Sequence, residues 1–178
     1  MATSRMLDYI AQPDARTCQS ACVLMMTGDP DKIGVLGVRA ALERLGEPGN
    51  PYVMGEYLKP RVREYAFDPK SSISDMVGWI EDGYRLITHG YFSNSGHVIV
   101  ISGYKVDCFT VDDPYGEFYV SPHWRYSNNE NGDDLPYSER LIYSTCVASG
   151  DRDGARKIYN SWIINRNFKD AWVHRIKN

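Results

Sequence analysis

The sequence predicts an α+β fold, with helices first and an antiparallel sheet second. Apolar residues recur at three- and four-residue steps in the first third of the chain, whereas later they fall in short β-branched and aromatic runs separated by Gly, Asn, Asp and Pro. The chain has 178 residues, 43% hydrophobic and 24% charged, which suits one domain able to bury a core without staples. We read residues 1–178 as that single domain, with a core over about 8–120 and a C-terminal extension over 121–178.

In order, CQSACVLMMT (18–27) and KIGVLGVRAALERL (32–45) predict helices joined by a GDPD turn. A third helix is expected over 52–59, where Pro51 suits a first turn and Pro60 a stop. A fourth runs from about Ser74 to Asp82, opened by SSIS and closed by Gly83. YRLITHGYF, HVIVISGY, VDCFTVDD and EFYVS then predict the strands of a meander. WRYSNNENGDDLP reads as a long exposed loop and YSERLIYSTCV as a helix. NSWIINR and AWVHRI read as late strands at a sheet edge.

Net charge is −3, so the chain lacks the basic field that holds nucleic acid or an anionic lipid surface. No apolar stretch has the length of a signal peptide or of a membrane span of about 20 residues. The expectation is a protein made in a cytosol without integral membrane association, acting on a cell wall only after release. Four cysteines, at 18, 22, 108 and 146, are expected as thiols in such a compartment.

QPDARTCQSAC carries the first candidate for chemistry. Cys18 stands where an irregular segment gives way to a helix, near unpaired backbone N–H groups and the positive end of the helix dipole. Such placement favours the thiolate and lowers a free-thiol pKa of about 8.5. Cys22, one turn further among Ala21, Val23 and Leu24, reads as packing. No second Cys/His pair stands at a metal-ligand spacing, so no metal and no cofactor is expected.

A thiol nucleophile needs a base and a group to orient that base. His97 opens the run HVIVISGY, and VDCFTVDDP ends the next strand with Asp112 and Asp113. A hairpin turning about Lys105 would set His97 directly across from Asp113. A slip of one residue would substitute Asp112, and the spacing leaves both open. His89, His123 and His174 read as structural or solvated. Tyr115, Tyr119, Trp124 and Tyr126 read equally well as groove or core.

Taken together, Gln12, Cys18, His97 and Asp113, in AQPDARTCQSACVLM and GHVIVISGYKVDCFTVDDPYG, resemble the motifs of the bacteriocin-processing cysteine peptidases of the papain-like clan. The resemblance covers about residues 8–120. It implies a papain-like fold, with Cys18 as nucleophile, His97 as base and acid, Asp113 as orienting carboxylate and Gln12 as the side-chain donor of the oxyanion hole. Gln19 and Ser20 depart from the small pair common after the nucleophile in that family. With no membrane or nucleotide-binding segment following, leader cleavage is not implied. The expected activity is amide or peptide hydrolysis through an acyl-enzyme, with a peptidoglycan substrate first. A protein substrate, cleaved or deamidated, and an inactive binding scaffold are the alternatives.

Overall fold

Helix α1 (Cys18–Thr27) begins where QPDART ends, and eight of its ten side chains are buried. A helix apolar on nearly every face must lie inside the protein, so the residue at its first turn is held firmly by packing. This computed structural model describes residues 8–29, 31–127 and 131–178. The extreme N-terminus, part of the GDPD turn and part of the loop after Trp124 lie outside the described residues.

Two more helices follow, α2 (Gly34–Leu45) and α3 (Pro51–Leu58). Asn50 caps α3 by accepting the Tyr52 N–H, with Pro51 in the first turn as expected. Strand β1 (Glu64–Ser71) comes next; it has no counterpart among the expected elements. Helix α4 (Ile73–Glu81) starts on a reciprocal capping box between Ser72 and Asp75. The meander consists of β2 (Arg85–Gly90), β3 (His97–Lys105) and β4 (Cys108–Asp112).

EFYVS contributes only β5 (Phe118–Tyr119), which pairs with β6 (Arg125–Tyr126) in a separate ribbon. The run expected as one helix from Tyr137 splits. Its start belongs to β7 (Leu135–Ser138), followed by α5 (Glu139–Ile142) and a π-helical turn (Tyr143–Val147). NSWIINR is not a strand: α6 (Arg152–Ser161) ends within it.

The last strand, β8 (Ala171–Lys177), corrects the expectation of an edge. The main sheet has the order β1-β8-β2-β3-β4-β7, all neighbours antiparallel, with β8 between β1 and β2. Its side chains explain the central place. Ala171 and Val173 join the core on one face, while Ile176 joins the core on the other. Burial on both faces suits an interior strand, and pairing with β1 on one side and β2 on the other leaves β8 no free edge. Helices α1 to α3 cover the second face, and α4 with the π-helical turn and α6 cover the first.

The β3–β4 hairpin turns at Val106 and Asp107, both in the left-handed region at φ 50° and 60°. These values suit a two-residue primed turn. A register irregularity between Ile101 and Gly103 then sets Val100 opposite Asp112. The ladder therefore does not place His97 across from Asp113 as a turn about Lys105 would. Asp113 lies just beyond the strand, where its N–H donates to the Gly132 carbonyl at 2.8 Å. Gly132 is required by this close approach, because a Cβ there would overlap the Asp113 carbonyl.

Candidate active site

Cys18 opens α1, and the N–H groups of Cys18, Gln19 and Ser20 precede the first intrahelical bond, from Ala21 N–H to the Thr17 carbonyl. The residue is 6% exposed. Burial alone would raise its pKa. The hydrogen bond and charge of His97, joined by the backbone N–H groups of Val98 and Gln19, outweigh burial and hold the thiol below its ordinary value.

His97 opens β3 opposite Gly90 and is 7% exposed. Its Nε2–H donates to Asp113 Oδ1 at 2.7 Å, which leaves Nδ1 as the ring nitrogen available to Cys18. Burial pulls the imidazole down, but the charge and hydrogen bond of Asp113, with a smaller contribution from Cys18, raise its pKa to about 10. The arrangement thus stabilises a thiolate beside an imidazolium.

Asp113 is fully buried, and a buried carboxylate must be satisfied by donors. The Tyr115 N–H donates to Oδ1 at 3.0 Å, and the Tyr137 and Tyr126 hydroxyls donate to Oδ2 at 2.9 and 3.1 Å. Tyr137 also accepts the Phe118 N–H at 2.9 Å, which ties the ribbon to the site. Asp112 faces elsewhere and accepts the Asp134 N–H at 3.0 Å. The choice left open by the sequence is decided by contact: Asp113 touches His97 and Asp112 does not.

Tyr137 and Gly132 have no counterpart in the sequence reading, which names Tyr126 only as groove or core. Tyr137 lies in DLPYS, a polar stretch without a recognisable motif. Its only early signal was that a buried tyrosine hydroxyl needs a partner. Trp124 is core, and Tyr126 is partly buried and packed against that core. Trp124 is 1% exposed, and the Tyr126 ring stands 5.2 Å from that of His97.

A cleft of about 460 Å³ opens over the pair, lined by Cys18, Gln19, His97, His89, Cys146 and Trp172 among others. Gly90 sits in its wall, where a side chain would collide with the Cys146 sulfur and the Phe92 ring. Gln12 lines a separate groove with Tyr115, whose ring stands 6.2 Å from that of His97. The Gln12 Nε2–H donates to the Asp14 carbonyl at 2.6 Å, and its buried Oε1 has no hydrogen-bond partner among the described residues. Gln19 is the glutamine beside Cys18 in the main cleft.

Cys22 is packed in the core: its thiol donates to the Val98 carbonyl at 3.3 Å, and burial pushes its pKa well up. All four cysteines are free thiols. Among the described residues, the grouping with the spacing of a metal site is Asp112, Asp133 and Asp134, away from the cysteines. His123 is exposed. His89 and His174 hydrogen-bond to each other beside the cleft. No helix of the described residues is long and apolar enough to cross a membrane.

No family model matches the sequence, and no curated protein matches it either. Among solved structures, the chain resembles a protein of Bacillus anthracis described as a candidate C39-like peptidase. The likeness spans 97% of this chain and 95% of that one, at 13% identity and a TM-score of 0.46.

Proposed function

We propose that the protein is a thiol-dependent hydrolase of amide or peptide bonds, with Cys18 as nucleophile, His97 as general acid and base, and Asp113 as the orienting carboxylate. The observation that carries this reading is the buried chain from Cys18 through His97 to Asp113, in which the thiol is held low and the imidazole high. A purely structural cysteine gains nothing from such a partner.

In the first half-reaction the Cys18 thiolate attacks the carbonyl carbon and the C–S bond forms. The C–N bond then breaks as His97 passes its Nδ1 proton to the departing amine. In the second, neutral His97 takes a proton from water, whose oxygen bonds to the thioester carbon. The C–S bond breaks, and the thiolate and imidazolium are restored. Asp113 holds the ring so that Nδ1 faces the sulfur. The Cys18 N–H at the start of α1 is one donor for the developing oxyanion. The resemblance assigns the second donor to Gln12, whose amide bonds the Asp14 carbonyl in the neighbouring groove.

For substrate, we assign the peptide portion of peptidoglycan. The support is an open cleft sized for a short peptide and walled partly by glycine, with the half-exposed Trp172 at its rim. The test is incubation of purified sacculi, and separately of a peptide library, with the intact protein and with Cys18→Ala. Muropeptides released only by the intact protein are the expected result. Cleavage of library peptides with untouched sacculi would redirect the substrate to proteins. Equal turnover by Cys18→Ala would overturn the assignment of Cys18.

A further inference from the structure

The face of the sheet that packs against α1 and α3 is apolar, yet a polar row crosses it. Tyr65 on β1, His174 on β8 and His89 on β2 stand on three successive strands of the sheet. The Tyr65 hydroxyl meets His174 Nδ1 at 2.9 Å, and His174 Nε2 meets His89 Nε2 at 3.2 Å. The row ends at the cleft that holds Cys18, since His89 lines that cleft. Phe67 packs on His174 with ring centroids 4.8 Å apart, and Trp172 packs on His89 at 5.7 Å. Both imidazoles are therefore held in place by neighbours on either side.

The protons on this row can be assigned by satisfaction. Two neutral imidazoles that meet through their Nε2 atoms must share one N–H between them. If Tyr65 donates to His174 Nδ1, then His174 carries its proton on Nε2 and donates it to His89. His89 then carries its own proton on Nδ1, the nitrogen with no protein partner among the described residues. The reverse order would leave the Tyr65 O–H without an acceptor among the described residues. Burial without a neighbouring carboxylate keeps both rings neutral near pH 7: it pulls the His89 pKa down to about 4 and the His174 pKa well below the ordinary value.

We propose that this row is a specificity device, in which Tyr65 and His174 position His89 so that its Nδ1–H binds an amide carbonyl oxygen of the substrate chain in the cleft. This rests on the reading of Cys18 as the nucleophile of the same cleft. A neutral donor suits a neutral carbonyl, whereas a carboxylate would find no cation on this imidazole. Tyr65 and His174 are positioning residues, because they act only through the tautomer of His89.

The test has two arms. Long-range nitrogen–proton correlation spectra of the isotope-labelled protein at pH 7 report tautomers directly. They should show His89 protonated on Nδ1 and His174 on Nε2, with His89 losing its fixed tautomer in Tyr65→Phe. His89 protonated on Nε2 would overturn the proposal, whatever Cys18 does. In the second arm Cys18 is alkylated with iodoacetyl-glycyl-glycinamide, which carries amide carbonyls, and in parallel converted to its methyl disulfide with methyl methanethiosulfonate, which carries none. His89→Phe should weaken the saturation constant for the peptide reagent about 3- to 10-fold and leave its limiting rate unchanged. Its reaction with the carbonyl-free reagent should also be unchanged, which shows that the fold and the thiol are intact. His89→Asn, whose amide places an N–H near the Nδ1 position, should restore part of the loss. An unchanged saturation constant in His89→Phe would contradict the carbonyl contact. A Cys18 that reacts no faster than Cys146 would instead sink the catalytic reading, and the tautomer spectra would still decide the role of the row.

Discussion

Two pairs of buried residues, each containing a histidine bonded to a partner through Nε2, border the same cleft and behave in opposite ways. His97 meets a carboxylate, and its pKa rises to about 10; His89 meets another imidazole, and its pKa falls to about 4. Burial penalises charge in both, so the fully buried Asp113 makes the difference. One region keeps a proton ready for transfer, while the other keeps a neutral ring with a fixed donor. The two cysteines that line the cleft repeat the lesson. Cys18, beside His97, is held low, and Cys146, without a cation, is pushed up to about 12.

The harshest way to break the charged region is Cys18→Ala, which should lower turnover by roughly 10⁴- to 10⁶-fold while circular dichroism stays unchanged. Asp113→Asn should make His97 resemble His89. Turnover should fall about 10²- to 10⁴-fold, and the alkaline limb of the pH–rate profile should move down from about 10 towards the ordinary imidazole value of ~6.5. Gly132→Ala should act more mildly by pushing Asp113 off its ring contact, with a loss of about 10²-fold in kcat/KM. Tyr137→Phe removes one donor to Asp113 and the acceptor of the Phe118 N–H. It should cost about 1–3 kcal/mol in urea unfolding.

The smallest effect sharpens the comparison through stability against pH. In the folded protein the Cys18–His97 pair holds one proton, on the imidazole. Unfolded near neutral pH it also holds one, on the thiol. The pair therefore adds almost no slope between about 6.5 and 8.5; stability should fall above that, until His97 loses its proton near 10, and also below about 6.5, where the unfolded chain binds a second proton that the lowered Cys18 thiol resists. His89 has a folded pKa below its unfolded one, so its contribution is fully present above ~6.5 and is lost as pH falls towards about 4. His89→Asn should make that acid limb shallower, leaving the part due to Cys18, without touching the alkaline one. An acid limb unchanged by the substitution would show that His89 is not buried neutral.

How much of this was legible before the structure varied with the kind of signal. Helix α1 was read to the residue, because an apolar 3.6-residue pattern and the following Gly28 are local signals. Strand β1 was missed because EYAFDPKS has neither strict alternation nor an uninterrupted apolar run, and it carries a proline. The central place of β8 was invisible because AWVHRI looks the same at an edge as between two neighbours. Only its pairing with β1 on one side and β2 on the other distinguishes the cases. At the site, Asp113 was named beside Asp112 through a register that the hairpin does not adopt. The shifted ladder and the chain's exit past the strand together return Asp113 to His97. The tyrosines under Asp113 come from two stretches read otherwise, Tyr126 from an expected exposed loop and Tyr137 from an expected helix, since a buried polar cluster assembled from distant segments leaves no periodic trace.

The measurement that bears most directly on the thiolate–imidazolium pair is the pH dependence of alkylation at each cysteine, followed by mass spectrometry with a small uncharged iodoacetamide. Cys18 should react with a midpoint below the ordinary thiol value, while Cys22 and Cys146 stay unmodified across neutral pH, and Asp113→Asn should move the Cys18 midpoint upward. A Cys18 that alkylates only at the pH of an ordinary thiol, unmoved by Asp113→Asn, would contradict the account.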